Sequence, residues 1–146
     1  MDCHWIIHYL PLRMPRHEQI ISKRKLEEII SLKAAYNESL KTLPPVGDDL
    51  GIRLPEHTEA MIEHEQARVA LPEYTAFKQL IRSLSDPQLK YLQAVAFYGR
   101  SSYQSFSEAL NDAEPGSGEF DYTFGLVSES EYLEEGFEKL NRRREI

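Results

Sequence analysis

Cysteine is nearly missing from this chain. Cys3 is the single one among 146 residues, so no intrachain disulfide can form and the core alone must hold the fold. That usage leans toward a reducing compartment, and the protein is expected to be cytoplasmic. Long apolar runs are missing too: none approaches the roughly 20 residues that a membrane-spanning helix needs. The N-terminal patch Trp5-Ile6-Ile7-His8-Tyr9-Leu10 is short and flanked by acid and histidine rather than lysine, which makes a poor signal peptide. The chain also lacks a phosphate-binding loop, a GxGxxG turn, an HExxH pair and a paired CxxC. No catalytic residue, cofactor or metal site is therefore expected, and the balance leans away from an enzyme.

What is present is ordinary for a folded domain. Hydrophobic residues make up 41% and charged residues 28%, too apolar for disorder throughout and enough for one core at this length. The net charge of −7 is uneven. Residues 1–47 hold seven Lys/Arg against five acids, residues 48–103 six against eight, and residues 104–146 four against eleven, so the last third alone carries −7. Such a surface repels phosphate backbones and disfavours nucleic acid. Its complement is a basic protein partner, and its plainer reading is a solvated acidic face.

Punctuation along the chain predicts an all-α bundle. Residues 1–18, with Pro11 and Pro15, have little periodicity and read as an N-terminal extension, either a flexible tail or a short segment packing Trp5, Ile6 and Ile7 on the body. A helix from about Ile20 to Leu40 follows, with Leu26, Ile29, Ile30, Tyr36 and Leu40 at helical spacing and Ser22 as a later N-cap. Pro44-Pro45-Val46-Gly47-Asp48-Asp49 breaks it. A polar helix over about Glu56–Ala70 has only Ala60, Met61, Ala67 and Val69 as apolar positions. The next, about Pro72–Leu84, carries the stripe Tyr74, Phe77, Leu80, Ile81 and Leu84.

The clearest local signal is Ser85-Asp86-Pro87-Gln88. A capping serine, an acid, a first-turn proline and a glutamine able to close a capping box all point to one helix start. The helix is apolar on most sides through Tyr98, so it is central. Gly99 is expected as its left-handed stop, and Arg100 as a cation at its negative end. Ser105-Phe106-Ser107-Glu108 predicts a short helix to about Ala113. Phe120, Tyr122, Phe124 and Leu126 alternate as in a strand, but with no partner strand evident a short helix is preferred. Ser128-Glu129-Ser130-Glu131 is expected to cap a last helix to about Arg142, with Tyr132, Leu133, Phe137 and Leu140 inside. The expected architecture is a single domain over 19–142, about five to six helices around the 86–98 helix, followed by a tail at 143–146.

Clusters of chemical residue types have competing plain readings. Cys3, His4, His8 and His17 are metal ligands by type but lie in the weakly patterned extension. His57 and His64 share a helix face yet sit about 10 Å apart along it, too far for one metal. Asp48-Asp49 and Glu134-Glu135 are adjacent acids with no opposed carboxylate in view, and read as solvated charge. Lys33 falls inside the apolar stripe of the first helix, where snorkelling or a structural ion pair competes with a site role. Arg100 has the same structural alternative.

With these residues in place, the chain resembles a bacterial family, domain-of-unknown-function family 3775. Three stretches carry the likeness: Ile29-Ile30-Ser31-Leu32-Lys33-Ala34; Leu80–Tyr103, which contains SDPQLKYLQAVAFYGR; and Tyr122–Leu140, which contains YLEEGFEKL. They span about Ile20–Asn141. Phe97-Tyr98 stands where the family has a Trp-Leu type pair, and Ser101 replaces its second glycine. The resemblance implies a helical bacterial cytosolic protein and supplies no activity. The leading expectation is a non-enzymatic interaction module taking a basic or amphipathic protein partner. Homo-oligomerisation is plausible from the surplus of aromatics around Phe97. The candidate surface is Lys33, Gly99, Arg100, Tyr103, Tyr122, Glu134, Glu135 and Gly136. The alternative is a small-molecule or enzyme pocket using Lys33 and Arg100; nucleic-acid binding through Lys23-Arg24-Lys25 or Arg142-Arg143-Arg144 ranks last.

Overall fold

Three prolines of the sequence, Pro55, Pro72 and Pro87, reappear in the first turns of helices, the last behind the capping Ser85. In the computed structural model, residues 19–44, 55–113 and 119–146 are described. Among them the regular structure is helical throughout: α1 Lys23–Leu40, α2 Pro55–Val69, α3 Pro72–Arg82, α4 Asp86–Arg100, α5 Phe106–Ala113, α6 Phe120–Ser128 and α7 Tyr132–Arg142. The all-α class holds, with seven helices where about five to six were expected. The ambiguous stretch around Tyr122 forms helix α6, not a strand. The proposed ligands Cys3, His4, His8 and His17, the Asp48-Asp49 pair and the His57 side chain lie outside the described residues.

The chain divides into two compact units. The first, Arg24–Leu84, holds α1 to α3. Tyr36 of α1 stacks on Phe77 (6.2 Å) and tilts against Tyr74 (5.4 Å), both on α3. Arg68 of α2 locks into the same cluster. Its Nη1 donates to the Tyr36 hydroxyl at 2.7 Å and its guanidinium lies 5.0 Å from the Tyr74 ring. Its other donors go to Glu65, and that bond holds the Glu65 carboxyl below its ordinary pKa. The expected stripes of α1 and α3 are largely inside: Leu26, Ile29, Tyr36, Tyr74, Phe77, Ile81 and Leu84 are all buried. Helix α2 is the polar helix expected there. Ala60, Met61 and Val69 face solvent, because this helix attaches through Arg68 rather than through its few apolar residues.

The second unit comprises residues 19–23 with Ser85–Ile146 and is built on α4. Its start is the predicted capping box: the Gln88 amide donates to Ser85 Oγ (3.4 Å) while Ser85 N–H donates to Gln88 Oε1 (2.9 Å). Every residue from Tyr91 to Tyr98 is buried, with α5, α6 and α7 packed around it. Gln93, a polar residue in this largely apolar helix, is buried and donates to Thr123 Oγ1 of α6 at 2.7 Å. A lone buried amide would be costly, so this bond specifies how α6 sits on α4.

Gly99 corrects an expectation. The helix runs one residue past it to Arg100, with Ser101 as C-cap, so Gly99 is not a left-handed stop. Its role is close approach. A Cβ on Gly99 would strike the Tyr132 carbonyl oxygen and lie 2.5 Å from Gly136 N, and one on Gly136 would strike the Val95 carbonyl. Helices α4 and α7 thus cross backbone to backbone at a glycine pair. A second correction concerns α7: Ser128 ends α6 instead of capping α7, whose N-cap is Glu131 with no side-chain bond.

Tyr91 and Tyr98 both meet Phe106 edge-on, at 5.2 and 5.5 Å. Burial pushes both phenols up to about 12, helped at Tyr98 by its bond to Glu145. The unfolded phenol ionises near pH 10. Between about pH 10 and 12 the unfolded chain has released these protons while the native chain still holds them, so stability falls as pH rises. Thermal melts across that window should show a steep drop in Tm, and the slope should flatten in Tyr91→Phe and Tyr98→Phe. An unchanged slope in both variants would refute the burial argument.

Candidate functional site

The C-terminal end of α4 brings Arg100 to the surface of the second unit, where α6 and the turn into α7 rise beside it. Arg100 joins Asp121, Tyr122, Gly125, Leu126, Glu129, Ser130 and Tyr132 around an open groove of about 520 Å³. The Arg100 guanidinium stacks on the Phe97 ring at 4.5 Å and makes no ion pair with an acid among the described residues. Asp121 and Glu129 are exposed and likewise form no ion pair there. Ser130 is committed to the fold: its hydroxyl donates to Leu126 O (2.7 Å) and accepts from Tyr132 N–H (3.4 Å).

Helix α6 itself is unusual. Its sequence FDYTFGLVS is strongly apolar, yet only Thr123 and Val127 are buried. Tyr122 is 50% exposed, Phe124 and Leu126 are half-buried, and Phe120 stacks on Phe124 at 5.4 Å. Gly125 sits mid-helix with nothing within 4 Å of where a Cβ would be. Glycine costs a helix about 1 kcal/mol relative to alanine. At Gly99 and Gly136 a helix crossing explains that cost; at Gly125 nothing among the described residues does.

The eight candidate residues separate into distinct places. Arg100 and Tyr122 meet at the groove. Gly99 and Gly136 meet at the α4–α7 crossing and are structural. Tyr103 donates to Asp112 Oδ2 at 2.6 Å, a bond that raises its pKa. Glu134 and Glu135 lie in the first turn of α7, where negative charge suits the helix end. Lys33 is buried on α1 in the first unit and is not part of the groove, whose lining comes wholly from the second unit. A second concavity of about 380 Å³ lies between Ile20, Pro87, Lys90, Tyr91 and Leu110.

Sequence reading missed the groove residues Asp121, Gly125 and Leu126, read Glu129 and Ser130 only as part of a helix cap, and placed Tyr132 in the core of α7. The available signal was Gly125, a helix-weakening residue inside an apolar run. It also missed a polar network on the far side of α4. Lys139 Nζ donates to the Tyr98 and Ser101 carbonyls (3.2 Å each), making the bonds at the α4 C-terminus that Arg100 was expected to serve. Burial lowers the Lys139 pKa, with Arg143 and Arg142 adding to it. Residues 143–146, expected as a tail, are tied back: Arg143 donates to Tyr98 Oη (2.8 Å), and Glu145 accepts from both the Tyr98 hydroxyl and Phe106 N–H.

Among the described residues no three His, Cys, Asp or Glu are grouped to hold a metal ion, and no helix is long and apolar enough to cross a membrane. Comparison of the chain with protein-family models, curated proteins and solved structures finds no match. Fold and groove define a small all-helical protein with one partly uncovered apolar helix.

Proposed function

We propose that the protein is a non-enzymatic interaction module of the bacterial cytoplasm, related to domain-of-unknown-function family 3775, whose contact surface is the α6 groove. The observation that carries this reading is the exposure of an apolar helix: Tyr122 stands half out of the surface, rimmed by Asp121, Glu129 and Arg100, none of them ion-paired within the described chain. An aromatic anchor with a charged rim is the arrangement that binding hot spots favour. The partner it suits is an amphipathic protein segment with an apolar centre and basic flanks.

The test is recovery of partners from bacterial lysate on immobilised protein. The wild-type chain should retain a stoichiometric partner. Tyr122→Ala should lose it, with a fall in affinity on the order of thirtyfold, whereas Glu135→Ala, an exposed acid outside the groove, should retain it. A folded wild-type sample that recovers nothing, or a Tyr122→Ala variant that binds as well, overturns the proposal.

A further inference from the structure

We infer that the element docking on this surface is an α-helix with basic flanks, laid along α6 and crossing it over Gly125; the inference rests on the groove being a protein-contact surface. Three features converge on it. First, Gly125 leaves the α6 backbone bare, with nothing within 4 Å of its absent side chain. The other two helical glycines of the described chain, Gly99 and Gly136, lie where one helix meets another at backbone distance. Gly125 offers the same close approach to a helix that the described residues do not provide. A small residue at the crossing point of the incoming helix completes such a contact.

Second, Asp121 and Glu129 stand four residues before and after Gly125, which is one helical turn, or about 6 Å, on either side. Both are exposed and without ion pairs among the described residues. An incoming helix that presents Lys or Arg about two turns apart therefore meets both carboxylates while its small residue sits over Gly125. A second copy of this chain fits less well. An antiparallel α6 pair crossing at Gly125 would set Asp121 against the other copy's Glu129, acid against acid. Third, Tyr122 and Leu126 supply apolar contact beside the glycine, so the helix is held by burial and registered by charge.

Arg100 lines the same groove, its guanidinium resting on Phe97 and free of any acid partner in the described residues, and it suits the carbonyl-rich C-terminal end of a docked helix.

The experiment uses two synthetic 18-residue helical peptides, titrated to millimolar concentration into isotopically labelled full-length protein and followed by amide NMR. Both carry a Leu stripe with a central Ala. One has Lys on either side of that Ala two turns apart, and the other has Glu there. The Lys peptide should shift the resonances of Tyr122, Gly125, Leu126 and Glu129, and the Glu peptide should not. Gly125→Ala should raise the Tm of the free chain, because alanine is the better helix former, and yet weaken the Lys peptide on the order of tenfold. Gly125→Leu should abolish the shifts while the chain stays folded. Equal binding of the two peptides, undiminished binding by Gly125→Leu, or no shift at millimolar peptide overturns the inference. If these occur while Tyr122→Ala still loses the lysate partner, the groove is a contact surface for something other than a basic helix. Groove resonances that move with protein concentration alone would assign the face to a second copy and overturn it as well.

Discussion

Gly136→Ala lowers the stability of this protein, against the direction that helix propensity dictates. In a free helix the change is worth about 1 kcal/mol in favour of alanine. Here the new methyl meets the Val95 carbonyl, and Gly99 N lies 3.1 Å from it. Both are backbone atoms inside α4, so no rotamer change relieves the overlap and one helix must shift. Overpacking of this kind costs about 1–3 kcal/mol, and a rigid backbone contact belongs at the upper end. After the propensity gain, the expected net loss is about 2 kcal/mol, or roughly 5 °C in Tm. Gly99→Ala acts on the same crossing through the Tyr132 carbonyl, so the double variant should lose less than the sum of the two. Urea and thermal melts read this directly. An unchanged or raised Tm for Gly136→Ala would remove the glycine crossing from the account of the fold.

Removing residues 143–146 is expected to cost about 3 kcal/mol, although they follow the last helix and look dispensable in sequence. The chain reverses at Arg144, which holds a left-handed φ of 56°. Glu145 N–H then donates back to Leu140 O (2.9 Å) and Arg144 N–H to Asn141 O (3.1 Å), the pattern of a Schellman stop. That reversal delivers Glu145 to the buried Tyr98 hydroxyl and to the first amide of α5 at 2.9 Å. It also lets Arg143 bind the Tyr103 and Gln104 carbonyls at 2.9 Å each. Truncation strands the phenol of Tyr98 and the N-terminus of α5 together. Glu145→Gln should reproduce part of the loss. Arg144→Gly removes the left-handed cost of an L side chain and should stabilise slightly. A truncated chain that melts with the full-length protein would show the clasp to be ornamental.

Local elements were legible to the degree that their determinants are local. Ser85 and Gln88 interact across three residues, so the start of α4 could be read directly, and the apolar positions from Leu89 to Tyr98 revealed its burial. The same applies to the stripe Tyr74, Phe77, Ile81 and Leu84. Failures cluster where a residue's meaning depends on a distant partner. Gly99 looked like a helix stop because a lone glycine after an apolar helix usually is one; the α7 backbone at Gly136 is what makes it a crossing point. Gln93 is a polar residue in an apolar helix, and its buried acceptor is Thr123, thirty residues on. Tyr132 falls at core spacing in α7, yet it is only half-buried and lines the groove beside α6.

The sequence by itself determined that this is an all-helical protein, where most helices start and stop, which helix is central, and that negative charge gathers in the last third. Those properties arise from capping, propensity and 3.6-residue periodicity, all of which act over a few residues. Tertiary structure alone decided that Gly99 and Gly136 meet, that Glu145 returns to Tyr98 across 47 positions of chain, and that α6 keeps Tyr122 and Gly125 uncovered beside Arg100. Close approach, buried hydrogen bonding and exposure depend on how whole helices are placed against one another. A single helix does not carry that placement in its own residues.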